Sequence, residues 1–389
     1  MSDLRPTTIH FTTQTDAGFF LPTMVMATSA KENMKEGSHY HFHLFYDELA
    51  PWQLEAAKRM ETPSFQVSLH HVVNGRHQQF GKTLQVTPIS LVRLELPERL
   101  SDIDKVLYMD GDIIVHTDLS DLYNTELGDN YIAAVRDPYT LVHDEYTSQF
   151  PGRAYVNSGV MLMNLKQLRE EHVVDKFFEA KANPQDFWRF QDQDVVNFCC
   201  ANRIVYLHPK YNEVYSVYNG MTDERLKRYN IMHETDYQDV ESIHMEAEIS
   251  HLAGLHGKRP WDKACTVFSE LWVHYYLKSP LKHIHIPLNT PWTEIGYLWK
   301  RLNPLINASN KPPYRETKIP TKSCTRCGIA KWLPVFKVKA THNAELNIYK
   351  KKVWLFGFIP LVAIKGNQQK QHWYLFFVIP IWRMQYDAA

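Results

Sequence analysis

The sequence predicts an α/β fold with a mixed, mostly parallel sheet and helices on both faces. Strand-like apolar runs alternate with helix-compatible stretches through the first 75 residues. A further buried-looking strand at residues 106–116 breaks at Asp110-Gly111-Asp112 and then resumes. Strands that alternate with helices of this length form a mostly parallel sheet that is covered by the helices. In open sheets of this class, ligands bind beyond the carboxyl ends of the strands.

The pattern of apolar residues gives the first elements in order. Short runs rich in β-branched and aromatic residues predict strands, and longer stretches compatible with the helical period predict helices. The predicted elements are a strand at Ile9–Thr13, a loop at Gln14–Gly18, a helix at Leu21–Lys35, a strand at His41–Tyr46, a helix at Gln53–Arg59 and a strand at Phe65–Val73.

Three alternating histidines, His39, His41 and His43, share one face of the second strand. They invite a zinc interpretation, but no carboxylate or cysteine partner stands nearby. Strand histidines are usually satisfied within the fold, and this is the favoured interpretation.

Length and composition bound the class of protein. With 389 residues, 44% hydrophobic and 22% charged, the chain is long enough for two to three ordinary folded domains. Of its 43 basic and 43 acidic residues, 18 and 4 lie in residues 278–389, which leaves 25 and 39 for the first 277. A basic tail of this kind is directed at an anionic partner, either a nucleic acid or a lipid surface.

The cysteines and the apolar runs predict where in the cell the protein is located. The five cysteines form no spaced framework of disulfides, which indicates a reducing environment. The first six residues lack the basic-then-apolar order of a signal peptide. No apolar run approaches the roughly 20 residues that span a bilayer. We therefore expect a cytosolic protein.

The sequence divides into three regions: a body at 1–277, a helical segment and linker at 278–322, and a basic region at 323–389. Within the last, Trp354-Leu-Phe-Gly-Phe-Ile-Pro360 and Tyr374-Leu-Phe-Phe-Val-Ile-Pro380 repeat at a spacing of 20 residues. Short apolar blocks flanked by lysines predict association with an anionic membrane surface. The alternative is a β-rich oligomerisation or capping element. Nucleic-acid binding is disfavoured because the basic residues gather around apolar blocks.

The strand break at Asp110-Gly111-Asp112 is a candidate metal site. Side chains two residues apart in an extended segment point to the same face, so both carboxylates can reach one cation. Gly111 would leave room for a ligand against the backbone. Oxygen ligands suit Mg²⁺ or Mn²⁺ holding a diphosphate. Taken alone, two aspartates around a glycine are more often a turn.

Four further segments carry groups suited to a sugar nucleotide. His251 offers the nitrogen ligand that favours Mn²⁺ over Mg²⁺, nearby glycines admit a backbone close to phosphate, and a lysine can neutralise a diphosphate. For Asn157 the alternative is a turn residue, and for Asp192 a helix cap. The segments are 154–165 with Asn157, 190–197 with Asp192, Gln193 and Asp194, 208–212, and 250–261 with His251, Gly254, Gly257 and Lys258.

Taken together in this order, the segments resemble glycosyltransferase family 8, and within it the bacterial lipopolysaccharide glucosyl- and galactosyltransferases. The resemblance covers roughly Ile9 to Lys263. It implies the A-type nucleotide-sugar-binding fold and a retaining transfer of glucose or galactose from a UDP-sugar to a lipopolysaccharide or related lipid-linked glycan. It also implies Mn²⁺ as the cofactor, with Mg²⁺ as the alternative. The strongest matches are residues 105–112, 157–165, 191–194 and 251–261.

The resemblance also implies roles for particular residues. Asp110, Asp112 and His251 match metal ligands. Gln193 matches the residue beside the anomeric carbon and Asp194 the adjoining carboxylate, which makes these two the predicted catalytic residues. The predicted donor-binding residues are Thr12, Gln14, Asp16, Arg93, Asp110, Gly111, Asn157, Asp192, Gly254, Gly257 and Lys258.

Two departures from the family pattern bear on the donor. Gln14 stands where the family usually has an acidic residue that contacts the uracil or ribose, with Asp16 as a substitute. Between Gly254 and Pro260 the chain has two extra residues, so either Lys258 or Arg259 could contact the phosphate, and Lys258 is preferred.

The expectation is a peripheral enzyme on the inner face of the inner membrane, with a homo-oligomer as the alternative use of the tail. It would bind a UDP-hexose and a glycan acceptor and no nucleic acid. Two rivals remain: a non-catalytic sugar-nucleotide-binding or lectin-like protein on the same fold, and a sugar-nucleotide hydrolase. The intact set of Asp110, Asp112, His251 and Gln193 argues against the first rival.

Overall fold

The structure, a computed structural model, describes residues 8–80, 87–141, 143–151, 154–214, 221–253, 259–261 and 269–282, and strands between residues 322 and 385. The chain divides into two compact units, Met1–Glu294 and Ile295–Ala389. The expected region boundaries after residues 277 and 322 stay predictions. The helix-compatible stretch expected at 292–305 lies outside the described residues.

The first unit contains a seven-stranded and a three-stranded sheet. The seven strands are ordered β3-β2-β1-β4-β7-β6-β8, and among them β7 is the one that runs antiparallel to its neighbours. The predicted mixed, mostly parallel sheet is therefore confirmed. In chain order, the strands are β1 (Thr8–Thr15), β2 (His39–Tyr46), β3 (Phe65–His71), β4 (Lys105–Met109), β5 (Ile113–Val115), β6 (Ile132–Arg136), β7 (Val156–Asn164), β8 (Ile204–Leu207), β9 (Glu213–Val214) and β10 (Ile249–His251).

Helices connect and cover these strands. Asp16 Oδ1 accepts the Phe19 N–H at 2.8 Å just before the first helix, and Pro51 occupies the first turn of the second. The helices are α1 (Phe20–Glu32), α2 (Pro51–Lys58), α3 (Leu96–Arg99), α4 (Ser120–Tyr123), α5 (Asp144–Thr147), α6 (Leu165–Glu170), α7 (Val173–Ala182), α8 (Gln191–Cys199), α9 (Asp223–His233), α10 (Val240–Glu246) and α11 (Ser269–Lys278), with 3₁₀ segments at Arg76–Gln79, Pro88–Glu95, Pro138–Leu141 and Pro209–Tyr211.

Both faces of the large sheet are covered. Consecutive residues of β4 and β7 are buried, and consecutive residues of a strand point to opposite faces. On one face α7 and α8 share a core cluster with Val106 and Tyr108. On the other, α1 packs against β1 and β5. The sheet is the rigid support on which the polar residues at its edge are held.

The structure corrects two local predictions. Gln14 lies within β1 rather than in a loop, because parallel pairing with β2 continues through Gln14–Phe45 to Thr15–Tyr46. Asn157 lies within β7, together with Ser158 and Gly159, so the alternative interpretation of Asn157 as a turn residue is wrong. There, the Asp110 N–H donates to the Gly159 carbonyl oxygen at 2.8 Å, so ladder pairing extends past β4.

The chain at residues 113–115 resumes as a strand, but in the smaller sheet. This sheet has the order β5-β10-β9, with β10 antiparallel to β5 and parallel to β9. Its pairing sets His251 opposite Ile113, and the Leu252 N–H donates to the Asp112 carbonyl oxygen at 2.9 Å. The break at 110–112 is therefore the point where the chain leaves one sheet and enters the other.

The second unit contains a six-stranded antiparallel sheet in sequence order. Its strands are β11 (Lys322–Ala330), β12 (Leu333–Asn343), β13 (Ile348–Leu355), β14 (Ile359–Gly366), β15 (Lys370–Leu375) and β16 (Ile379–Gln385). Each copy of the sequence repeat is a hairpin, with Trp354 opposite Pro360 in one and Tyr374 opposite Pro380 in the other. Across the described residues, no helix is both long and apolar enough to cross a membrane.

Candidate active site

Two carboxylates and one imidazole meet where β4, β5 and β10 adjoin. His251 Nε2 lies 3.3 Å from Asp112 Oδ1 and 3.7 Å from Asp110 Oδ2. One ligand atom from each of the three side chains lies within 4.8 Å of the others. Asp112 and His251 are buried, and Asp110 keeps 23% of its side chain exposed. Two oxygen donors and one nitrogen donor fit Mn²⁺ or Mg²⁺, with Asp110 on the open side.

Neighbouring charges set the protonation of this group. Burial raises the pKa of Asp112, but His251 and Arg259 outweigh it and bring the pKa down to about 2. Burial lowers the pKa of His251, but Asp112 and Asp110 outweigh it, and the net shift is upward. Arg259 Nη2 lies 3.2 Å from Asp112 Oδ2. The imidazole and the guanidinium therefore compensate the buried carboxylate.

The His251 ring is fixed from behind by Asn212 and Gly159. Asn212 Oδ1 lies 3.0 Å from His251 Nδ1, so an Nδ1–H that donates to this oxygen leaves Nε2 facing the carboxylates. A Cβ on Gly159 would lie 2.1 Å from His251 Cε1. Asn157 completes the support, because its Oδ1 accepts from Asn212 Nδ2 and from the Gly159 N–H, both at 2.9 Å.

Arg93 joins the candidate metal-ligand group, which consists of Asp110, Asp112 and His251, to α8. Its Nη2 donates to Asp110 Oδ1 at 2.8 Å, and its Nη1 lies 3.0 Å from Asp192 Oδ2. The guanidinium stacks 4.5 Å from the Tyr108 ring centroid and is buried. Burial lowers the pKa of Arg93, but Asp110 and Asp192 outweigh it and raise the pKa above its ordinary value. The Arg93 guanidinium therefore holds Asp110 and Asp192, two carboxylates predicted to bind the donor, in one fixed arrangement.

Gln193 lies in a network that the sequence did not reveal. Its Nε2 donates to Asp137 Oδ2 at 2.8 Å, and its Oε1 accepts the Ser158 N–H at 3.0 Å. Asp137 also accepts from Asn157 Nδ2 at 3.2 Å, and burial raises its pKa even though the donors oppose the shift. Asp137 therefore orients both amides that the resemblance assigned to the donor sugar.

Asp194 is fully buried and its carboxylate is fully engaged. Its Oδ1 accepts from the hydroxyl groups of Tyr146 and Tyr155, and its Oδ2 accepts the N–H groups of Arg189 and Phe190 at 2.7 and 2.6 Å. This carboxylate fixes the segment that precedes α8. The predicted catalytic role of Asp194 stays a prediction.

The predicted residues of β1 and of the strand break contact protein groups. Thr12 Oγ1 donates to the His43 carbonyl oxygen at 2.9 Å, and Gln14 Nε2 donates to the Tyr108 hydroxyl at 2.7 Å. Tyr108 in turn donates to Asp110 Oδ1 at 2.5 Å, so Gln14 supports the metal-ligand group. Gly111 is required for packing, since a Cβ there would lie 2.5 Å from Thr23 Oγ1. Donor binding by these residues stays a prediction.

Three predicted donor-binding residues, Gly254, Gly257 and Lys258, lie outside the described residues. The neighbouring Arg259, the alternative phosphate contact, is described. It pairs with Asp112, and its guanidinium carbon lies 5.6 and 5.7 Å from the ring centroids of Phe19 and Trp261.

Sequence reasoning missed Asp137 altogether, and it missed the roles of Gly159 and Asn212 within segments that it had singled out. Asp137 ends the apolar run of β6, a pattern like that of Asp110 after β4, and could have been found by that signal. Gly159 interrupts an apolar strand, a pattern that signals a close approach of another group. Asn212 has no local signal, because its partners lie 39 and 55 residues away in the chain.

Comparison with known proteins adds the family. The family model of glycosyl transferase family 8 matches residues 10–265 of the chain. A putative glycosyltransferase of Haemophilus influenzae is 26% identical over 54% of this chain and 60% of its own length. A lipopolysaccharide 1,2-glucosyltransferase of Escherichia coli is 22% identical over 72% of this chain and 78% of its own length.

Solved structures share the fold. The galactosyltransferase LgtC, solved in complex with donor and acceptor sugar analogues, superposes with a TM-score of 0.59 and 22% identity, over 74% of this chain and 99% of its own. The bifunctional glycosyltransferase WbbM superposes with a TM-score of 0.57 over 78% of this chain and 53% of its own, with 15% identity. The family match covers well over half of the sequence and contains every residue of the site. The chain therefore belongs to glycosyl transferase family 8, which confirms the predicted family, the A-type glycosyltransferase fold and the glycosyltransferase class of enzyme.

Proposed function

We propose that the protein is a retaining hexosyltransferase that moves glucose or galactose from a UDP-sugar to a lipopolysaccharide or related lipid-linked glycan. One observation carries the proposal: buried Arg93 connects Asp110 of the metal-ligand group to Asp192 on the helix that bears Gln193. A nucleotide sugar needs a cation site for its diphosphate and polar groups for its sugar, side by side. Arg93 couples these two halves.

Mn²⁺ is the proposed cofactor, held by Asp110, Asp112 and His251. The donor set fits it, since an imidazole beside two carboxylates favours Mn²⁺ over Mg²⁺. When bound, the cation supplies compensation for the negative charge of the departing diphosphate.

The chain's own residues supply the remaining electrostatics. Lys258 is the proposed contact that neutralises the leaving phosphate, with Arg259 as the alternative. Asp192 and the Gln193 carboxamide face positive charge that develops on the sugar ring, held there by Arg93 and Asp137. Asn157 and Asp192 hold sugar hydroxyls. The anchored Asp194 accepts four hydrogen bonds, which favours attack from the face of the departing UDP over a covalent bond to that carboxylate.

Turnover of UDP-sugars tests this function. We expect Mn²⁺-dependent release of UDP from UDP-glucose or UDP-galactose, abolished by EDTA and lowered about 100-fold or more by Asp112→Asn. The exposed Asp102→Asn is the matched control and should keep full turnover. The anomeric configuration of the product, read by NMR, tests retention. Free hexose that no acceptor suppresses would mean a hydrolase, and tight binding of UDP and Mn²⁺ without turnover would mean a binding protein.

For the second unit we propose association with the anionic inner leaflet of the inner membrane, where such an acceptor would be displayed. Strand register pairs Lys350 with Lys365, Lys365 with His372 and His372 with Arg383. This register aligns basic residues of neighbouring strands, and each basic residue near an anionic surface contributes about 1 kcal/mol to binding.

Vesicle sedimentation tests this association on the full chain. Lys350→Gln combined with Lys365→Gln and Arg383→Gln should weaken binding to anionic vesicles and leave turnover on a soluble acceptor unchanged. Lys351→Gln, one position along β13 and paired in register with Ile364, is the control. Equal sedimentation of the triple variant and the parent would contradict the proposal. Dissociation of an oligomer by the triple variant would favour a homo-oligomer instead.

A further inference from the structure

A second group of metal-ligating side chains lies away from the active site, on one face of the first three strands. His10 of β1 pairs in register with His41 of β2, and His43 lies two residues further along the same strand. One ring nitrogen from each of these three histidines lies within 4.8 Å of the others. His10 is the partner that no spacing in the sequence predicted, because it comes from the neighbouring strand.

The distances between these rings match those of a cluster of imidazole ligands. His10 Nδ1 and His43 Nε2 are 3.0 Å apart, and two imidazole nitrogens bound at about 2.0–2.1 Å to one ion lie roughly 3 Å apart. The ring centroid of His10 is 5.4 Å from that of His41 and 5.3 Å from that of His43. All three nitrogens lie within 4.8 Å of one another, so side-chain rotations that bring this distance to roughly 3 Å would place them around one ion.

Outer partners already orient two of the rings. His43 Nδ1 lies 3.1 Å from His70 Nε2 on β3, which directs His43 Nε2 towards His10. His41 Nε2 lies 2.7 Å from Ser68 Oγ. Hydrogen bonds on the far side of a histidine ring are the usual means by which proteins fix the tautomer of a metal ligand.

The chemistry of the cluster favours a metal over protons. Burial and the neighbouring histidines lower the pKa of His10 to about 4 and that of His43 to about 2, so both are neutral at neutral pH. Neutral imidazole is the form that binds metal. Lys58 and Glu61, the charges that act on His41, pair with each other at 2.8 Å and shift the pKa of His41 in opposite directions.

We propose that His10, His41 and His43 form a second metal site that binds a late divalent transition metal ion of the Zn²⁺ type and ties β1 to β2. Imidazole ligands without carboxylates suit Zn²⁺, Ni²⁺ and Cu²⁺ and disfavour Mg²⁺ and Mn²⁺. His43 is buried, while His10 and His41 are half-buried, so the ion has both a fixed ligand and an entry path. The site is independent of the proposed transferase function.

Zinc titration of the full chain tests the site. Calorimetry should find that His10→Gln and His41→Gln each lose one zinc equivalent or bind it about tenfold more weakly or worse. His39→Gln is the matched control, because His39 lies on the same strand and outside the cluster. The active site is unchanged in all three variants, so any zinc that it binds contributes equally to the parent and to each variant. In the parent protein, excess Mn²⁺ should not displace the zinc equivalent that the two variants lose.

A second measurement needs no variant. Diethyl pyrocarbonate modifies accessible neutral imidazoles, and mass spectrometry locates the products. Zn²⁺ should protect His10 and His41 and leave His39 as reactive as before. Equal zinc stoichiometry and affinity in the parent and both variants, or equal modification of His10 and His41 with and without Zn²⁺, would overturn the proposal and leave only a hydrogen-bonded row of histidines.

Discussion

Gly159→Ala should disable the metal-ligand group by displacing one side chain. The added Cβ would lie 2.1 Å from His251 Cε1 and 2.7 Å from Nδ1, against an ordinary contact of 3.4 Å or more. The ring must therefore move by more than about 1 Å, whereas metal–ligand bonds tolerate about 0.2 Å. We expect Mn²⁺ affinity to fall about 10- to 100-fold and turnover about 100-fold.

The assay is Mn²⁺ titration together with UDP release, on a double-mutant cycle. If the effect passes through the ring, Gly159→Ala should add little in a His251→Asn background. Val160→Ala, the next position of the same strand, controls for a general loss of packing, since it faces the opposite side of the sheet. Full additivity of the two substitutions, or unchanged Mn²⁺ affinity in Gly159→Ala with a native fold, would refute the reasoning.

Three further predictions follow from the same contacts. Arg93→Lys replaces a forked cation with a point charge and should lower kcat/KM about 100-fold with a native circular dichroism spectrum; near-parent activity would contradict the link between the two carboxylates. Asn212→Ala removes the acceptor for His251 Nδ1 and should raise the Mn²⁺ dissociation constant about 10- to 100-fold, read by titration. Burial raises the pKa of Asp118, but hydrogen bonds from Ser120, Lys35 and Ser38 outweigh it and bring the pKa down to about 2. The carboxylate therefore stabilises the fold above pH 3.8, its ordinary pKa, and this stabilisation is lost as the pH falls from 3.8 towards 2. The free energy of unfolding, measured with urea over that range, should depend less on pH in Asp118→Asn.

The parts of the site that the sequence predicted are local. Asp110 and Asp112 could be identified because both carboxylates follow one apolar strand, and the sheet edge collects such strand ends. His251 could be identified as a nitrogen ligand from its own segment, but its place beside Asp110 and Asp112 required the resemblance, since nothing in residues 249–251 indicates that this strand pairs with Ile113–Val115. The order of the sheet was equally hidden, because the antiparallel insertion of Val156–Asn164 depends on packing across the whole unit rather than on its own pattern.

The supporting residues could not be predicted for a different reason. Asp137 meets Gln193 across 56 residues of chain, and Asn157 meets Asn212 across 55. An amide or carboxylate at such a position resembles a turn or cap residue until its partner is known. Burial distinguishes a supporting residue from a turn or cap residue, because a buried polar group needs a hydrogen-bond partner and is held in place by it.

The strand pairing of the second unit explains its sequence repeat by the position of a proline rather than by the apolar block. In both copies the proline stands six residues after its partner, as Trp354–Pro360 and Tyr374–Pro380, and the register shifts beside that pair. Gly328 and Pro334 form a third pair with the same separation and the same kind of shift, although no repeat was visible there in the sequence. Proline has no N–H to give to a ladder, so a shift at this point is what a hairpin needs to accommodate it. The repeating unit is therefore the proline-marked hairpin, and each apolar block of the sequence runs from the end of one strand of a hairpin to the start of the other.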